Sequence, residues 1–404
     1  MIPFHRIALA VMFLLPLAAD PLEAIPSFAR KYGISCATCH DPAPRLTAFG
    51  EQFAGNGFEM VIGEAPRDTM DTGDELLTLL RRIDLALRLD AYVTASEPIG
   101  SEGLRLDLQT PYNIKVLAGG PIADRISYYM YFFLSERGEV AGLEDAYIQF
   151  TDIGASGVSV IAGQFQISDP MFKRELRLSY EDYQIYRVRV GDARADLTYD
   201  RGFFATYEPW TGSGLSLMVV NGQGIGRAGA DRLYDRDPFQ TLALHLTQDL
   251  GPLRVGGFGY WGRERADGQK DRILIFGPDA TVALTPAAEL NLQYLRRDDS
   301  NPMMIPGGEG ARIDSFLGEL ILGPFGSGDR WFATGLYNRV EADRPLLSLR
   351  VGEQETTSGF LERYHSATGG IHYLLRRNVR LLAEVGWDLE RESARIAIGT
   401  TMAW

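Results

Sequence analysis

The sequence predicts a mainly β protein: a transmembrane antiparallel β-barrel of roughly sixteen strands, preceded by a small α-helical N-terminal segment. Three observations carry that reading. Apolar and polar residues alternate from Arg82 onward, and the charged residues recur on one face of the alternating stretches. No stretch offers the roughly 18 consecutive apolar residues that a membrane-spanning helix needs.

At the N-terminus, Arg6 precedes the apolar run Ile7 to Leu17, and small residues follow at Ala18, Ala19 and Ala24. That order is the order of a secretory signal peptide, and the run is too short to cross a bilayer as a helix. Cleavage is expected after Ala24, with Ala19 as the alternative. Residues 1–24 are therefore read as a leader, 25–81 as a small helical segment with its linker, and 82–404 as the barrel.

Composition agrees with this division. The 404 residues would ordinarily suggest two or three globular domains, but one large barrel absorbs most of that length. Hydrophobic content is 45%, with 44 Gly, 18 Tyr and 20 Phe, a mixture suited to many strands and turns. The net charge is −13, so the chain is not built to bind nucleic acid. Loss of Arg6, Asp20 and Glu23 with the leader barely changes that balance. Only two cysteines are present, and they are close together, which excludes a disulfide framework.

Those cysteines stand in Cys36-Ala37-Thr38-Cys39-His40, the haem c attachment motif. Thiols at this spacing lie about one helical turn apart, so both can add to the vinyl groups along one porphyrin edge. His40 follows at once and is aimed at the iron as the proximal ligand. A redox dithiol would need a βαβ context, and zinc would want a fourth ligand that this region does not supply. One covalent haem c is expected, which makes residues 25–81 a c-type cytochrome-like segment. Leu46, Phe49 and Phe53 form one apolar stripe on a short helix, with Phe49 and Phe53 expected to clamp the haem. Thr47 is placed to cap that helix, although Glu51 comes one position too late for a capping box. A segment this small has too little core of its own, so it is expected to borrow walls by sitting in the barrel lumen. For the sixth iron ligand Met60 is the first choice and Met70 the second.

The first strand alternates Ile83, Leu85, Leu87, Leu89, Ala91 and Val93 against Arg82, Asp84, Arg88 and Asp90. The second sets Leu104, Leu106, Leu108, Tyr112, Ile114 and Val116 against Arg105, Asp107, Gln109, Asn113 and Lys115. A turn through Gly119, Gly120 and Pro121 is expected before Ile126, Tyr128, Met130, Phe132 and Leu134. Weaker alternation recurs at Leu215 to Val220, Leu242 to Leu246, Val282 to Leu284, Leu290 to Tyr294, Val379 to Trp387 and Ile396 to Trp404. A soluble β-sandwich also alternates, but charge on the inner face is prohibitive in a dry core and natural in a watery lumen. The closing Trp404 suits an interfacial aromatic girdle.

Other signals are weaker. His245 and His372 are expected to face the lumen as polar residues, although either could reach an iron held there. Gly222-Gln223-Gly224-Ile225-Gly226 has neither the context nor the spacing of a dinucleotide loop and is read as a turn. Lys173 to Tyr183 is a charged, tyrosine-rich stretch that could fold into the lumen; the solvated loop is the preferred reading. Asp231, Asp235 and Asp237, and Asp298 with Asp299, could offer carboxylates to a hard cation, but such clusters are mostly exposed turns.

Taken together, the N-terminal motifs resemble those of the fused outer-membrane cytochrome-porins associated with neutrophilic and acidophilic iron oxidisers. The resemblance rests on Ala24-Ile25-Pro26-Ser27-Phe28-Ala29-Arg30, Cys36 to His40, Pro44-Arg45-Leu46-Thr47-Ala48-Phe49-Gly50, Phe53 and Asn56-Gly57-Phe58. It is specific through Phe58 and architectural beyond it. The resemblance implies an outer-membrane protein, seated in lipid, that takes electrons from extracellular Fe(II) and passes them to a periplasmic electron-carrier cytochrome. The competing expectations are a passive porin whose haem segment is a plug or sensor, and a conduit for another extracellular donor or acceptor.

Overall fold

The computed structural model describes residues 27–404, except 75, 82, 97–102, 141, 236, 267, 326–328, 349, 352–353 and 356–359. The leader, Ala24 to Pro26 and Arg82 lie outside the described residues.

Sixteen antiparallel strands close into one barrel. In chain order they are β1 (Leu85–Ser96), β2 (Arg105–Ala123), β3 (Ile126–Glu136), β4 (Gly142–Phe150), β5 (Ser159–Gln166), β6 (Tyr199–Tyr207), β7 (Ser213–Val220) and β8 (Thr241–Leu250). They continue as β9 (Leu253–Ala266), β10 (Gln269–Thr285), β11 (Ala288–Asp299), β12 (Ala311–Phe325), β13 (Trp331–Ala342), β14 (Arg363–Arg376), β15 (Val379–Asp388) and β16 (Ser393–Ala403). Each strand pairs with its sequence neighbour, and β16 returns to β1 with Ile398 opposite Val93, so no edge is left to aggregate. The backbone of Trp404 exchanges hydrogen bonds with Leu87, which carries the closure to the end of the chain.

The alternation that defines the strands also sorts their faces. Asp90, Tyr92 and Thr94 of β1 turn inward and are buried, whereas Leu106 and Leu108 of β2 point outward and are 63% and 67% exposed. An apolar outer face of this kind is stable against lipid and costly against water. No helix among the described residues is long and apolar enough to cross a membrane.

Two expectations for β2 are corrected. Gly119, Gly120 and Pro121 lie inside the strand, and the turn is made by residues 124–125. The glycines mark close approach instead: a Cβ on Gly120 would stand 3.3 Å from the Lys31 Nζ of the N-terminal segment. Tyr112, expected on the outer face, is buried inside against Tyr92 and Tyr180. The cause is a register shift, since Asp90 pairs with Asn113 but Tyr92 pairs with Gln109. The extra residues on β2 reverse the side to which Tyr112 points.

One end of the barrel carries the tight connections 124–125, 251–252, 286–287 and 377–378. At the other end lie the long ones, 167–198, 221–240 and 343–362. The N-terminal segment enters the bore from the tight-turn end.

The connection 167–198 folds into the bore, which overturns the solvated reading of Lys173 to Tyr183. A buried irregular chain must have its backbone groups satisfied, and the wall supplies the partners. Glu384 of β15 accepts the N–H groups of Tyr180 (2.7 Å) and Glu181 (3.0 Å). Asn338 of β13 accepts from Gln184 N–H and donates to the Asp182 carbonyl. Arg297 of β11 donates to the carbonyls of Val188 and Ala195. The charged inner face therefore serves a threaded loop, where the sequence reading expected open water. Tyr183, Ile185 and Tyr186 of the loop join Phe258, Ile275, Leu295, Leu317 and Leu336 of the wall in one apolar core. A second core packs Val188 and Val190 against Ile313 and Val340.

Candidate functional site

The N-terminal segment consists of α1 (Ser27–Tyr32), α2 (Cys36–Cys39) and α3 (Ala48–Gly55). Ser35 caps α2 by accepting the Ala37 N–H, and Thr47 caps α3 by accepting that of Gly50 at 3.1 Å. Thr47 also ties the two helices together: its N–H donates to the Cys39 carbonyl and its hydroxyl to that of Thr38, both at 2.9 Å. Gly50 completes this join. A Cβ there would lie 2.3 Å from the Cys39 carbonyl oxygen, so only glycine lets α3 lie this close to the cysteine turn.

The segment has an aromatic core of its own. Phe28 meets Phe53 edge-on and stacks on Phe58, with ring centres 5.2 and 5.1 Å apart. Phe58 in turn stacks on Tyr129 of β3 at 5.4 Å, which docks the segment onto the wall. Lys31 pairs with Asp84 at 3.0 Å, Arg45 reaches Glu289 of β11, and Gln149 of β4 donates to the Gly55 carbonyl at 2.6 Å. The expectation that this small segment borrows the barrel's walls is met in the structure.

Cys36, Cys39 and His40 line one cavity of about 310 Å³ between the segment and the bore. Leu46 and Phe53 line it from the segment side, Tyr129, Tyr131, Arg88 and Arg380 from the wall, and Asp169, Lys173, Glu175 and Leu176 from the inward loop. The His40 Nδ1–H donates to the Pro44 carbonyl at 2.9 Å, which leaves Nε2 as the free ring nitrogen. Burial lowers the His40 pKa and keeps the imidazole neutral, the form that binds a metal. Burial also raises both thiol pKa values, and the two cysteines are not joined to each other.

These residues fit a covalent haem: two thiols and an oriented imidazole on one turn, facing a cavity with apolar and aromatic walls. Phe49 does not line the cavity; it is 38% exposed and stacks on Phe53. Neither Met60 nor Met70 lines it either. Met60 donates its N–H to Glu64, and Met70 is 45% exposed in a two-stranded ribbon with Leu79–Leu80.

The remaining candidates sit elsewhere. His245 and His372 face the bore as expected, but neither lines the cavity. The first pairs with Asp279 at 2.8 Å and the second meets the Thr334 hydroxyl at 2.9 Å. Gly222 and Gly224 have positive φ in a turn. Asp298 is paired with Arg296 and Arg312, Asp299 with Arg297, and the Gln223 amide bridges Asp235 and Asp237. No group of three metal-ligating side chains exists among the described residues. Arg380 was missed by sequence reading, because an inward arginine in an alternating strand looks like any lumen charge.

No protein-family model and no curated protein matches this chain. Solved structures do. An anion-selective porin from Comamonas acidovorans superposes with a TM-score of 0.57 at 10% identity, covering 80% of this chain and 99% of that one. The outer membrane channel DcaP of Acinetobacter baumannii gives 0.55 at 10% identity, over 80% and 97%. A loop-deletion form of OmpT, an outer membrane protein of Vibrio cholerae, gives 0.53 at 12% identity, over 80% and 99%. These likenesses establish the sixteen-stranded porin-type fold.

Proposed function

We propose that this chain is an outer-membrane electron-transfer protein carrying one covalent haem c. The observation that supports this most is the shared cavity of Cys36, Cys39 and His40, closed on its other sides by barrel wall and inward loop. Porin-type barrels place short turns in the periplasm and long loops outside. By that rule the cavity opens toward the periplasm, within reach of a soluble electron-carrier cytochrome.

Haem bound there would supply a one-electron centre whose potential depends on its ligands and on burial. The chain's own residues do the rest. Cys36 and Cys39 would hold the porphyrin edge and His40 Nε2 the iron. Phe53 and Leu46 would exclude water from its faces, and the Pro44 carbonyl fixes the imidazole plane. The donor follows from the family resemblance: extracellular Fe(II) gives up one electron, and the periplasmic cytochrome takes it.

A second reading is a passive porin with a plug, favoured by the fold shared with an anion-selective porin and an outer membrane channel. The grouping of Cys36, Cys39 and His40 on one cavity favours the haem reading over it, since a plug needs no such grouping. The test is haem-peroxidase staining after denaturing electrophoresis of protein made with the periplasmic haem-attachment machinery. The wild type should stain, and Cys36→Ser with Cys39→Ser should not. An unstained wild type would leave the porin reading in place.

A further inference from the structure

Arg380 of β15 is 3% exposed, lines the same cavity as His40, and has no hydrogen-bond partner at Nε or Nη1. Its Nη2 touches only the Thr401 hydroxyl, at 3.5 Å. A guanidinium cannot shed its proton inside a protein, so a buried one needs an anion. Its neighbours are already committed. Arg88 pairs with Asp90 at 3.0 Å, and Glu175 with Lys115 at 2.7 Å, whereas no carboxylate among the described residues pairs with Arg380. Of the other charged lining residues, Arg88 lies on β1, Asp145 on β4, and Asp169, Lys173 and Glu175 on the inward loop.

We infer that Arg380 anchors a carboxylate in this cavity, namely a propionate of the haem, so that the porphyrin edge opposite the thioethers points to β15. The inference rests on the haem reading above. A planar fork of N–H donors matches a carboxylate in two-point contact, and burial strengthens the pair. A free anion drawn from solvent would satisfy the same guanidinium, and the experiment separates the two sources.

The test uses the full-length, haem-loaded protein in detergent, with Arg380→Met and Arg380→Lys beside the wild type. Covalent haem per chain should be unchanged, because the cysteines hold it. The midpoint potential of Arg380→Met should fall by the equivalent of about tenfold in the reduction equilibrium, ~59 mV for one electron, because a cation that favours the reduced centre is gone. The propionate bending band in the resonance Raman spectrum should shift as well. Arg380→Lys keeps the charge and should retain most of the potential while still shifting the band, which keeps the test open if the methionine variant does not fold. A potential and a band equal to wild type in the variant that folds would overturn the inference. So would a wild-type potential that moves with added chloride, which would place a free anion on Arg380. A wild type without covalent haem would instead overturn the reading beneath it.

Discussion

The Nδ1 of His40 donates to the carbonyl oxygen of Pro44 at 2.9 Å, across the short loop that leads from the cysteine turn to α3. That bond settles both the tautomer and the direction of the imidazole. Nδ1 carries the proton and Nε2 is left to act as a ligand.

His40→Ala should therefore separate attachment from ligation. The thioether bonds would remain, so peroxidase staining should persist, while the reduced α band should shift and broaden. An absorption spectrum equal to wild type would show that His40 is not the axial ligand.

Gly50 and Gly55 make a paired test of the join between α3 and the cysteine turn. Gly50→Ala forces a Cβ against the Cys39 carbonyl and should cost about 1–3 kcal/mol in the unfolding of the segment, as overpacking does. Gly55→Ala meets nothing within 4 Å, and Ala is the better helix former by up to about 1 kcal/mol, so it should be neutral or stabilising. Thermal melting followed at the haem band would measure both, and equal effects would contradict the packing described.

The anchoring of the inward loop on the wall gives a conductance prediction. Wild-type protein in planar bilayers should pass less current than a variant whose loop is freed. Glu384→Ala removes the acceptor of two buried N–H groups of the inward loop, at about 1–3 kcal/mol for each. The loop should loosen and discrete channel openings should appear. A conductance of Glu384→Ala equal to wild type would contradict this anchoring role.

How much of this was legible beforehand depended on which face of a strand met what. In β1 the alternation is clean, because Asp90 faces partners in the bore and Val93 faces outward. In β10 the run Ile273-Leu274-Ile275-Phe276 hides it: Ile273 and Ile275 sit in the dry core, so both faces are apolar. That Cys36, Cys39 and His40 face one cavity was readable because the three lie within five residues. The inward loop was not, because the partners of Tyr180 and Glu181 lie about 200 residues away, on β15. Phe49 shares the stripe of Phe53, yet only Phe53 meets the cavity, since helical periodicity gives a face and not what lies against it.

Two ion-paired carboxylates of the loop should also resist acid. Burial alone would raise the Asp182 pKa, but Arg174, Arg177 and Arg187 outweigh it and hold the carboxyl well below the usual range. Lys115 and Arg174 do the same for Glu175. A depressed folded-state pKa contributes stability that is present above the unfolded value of about 4 and is lost only as pH falls through the folded one. The ion pairs of Asp182 and Glu175 should persist at pH 4 and be lost only at much lower pH, as read from the carboxylate bands in the infrared. In Asp182→Asn the loop should loosen at neutral pH, since three arginines lose their shared partner. Protonation of Asp182 in the wild type near pH 5 would contradict this ion-pair account.

The proposed electron transfer is tested most directly by anaerobic stopped-flow on the oxidised, haem-loaded protein in liposomes, with Fe(II) supplied on the side of the long loops. The account predicts that the haem bands convert to the reduced form while the vesicles hold their ion gradient. Haem bands that stay oxidised in vesicles that freely leak small ions would contradict it, and the chain would then be a plugged porin.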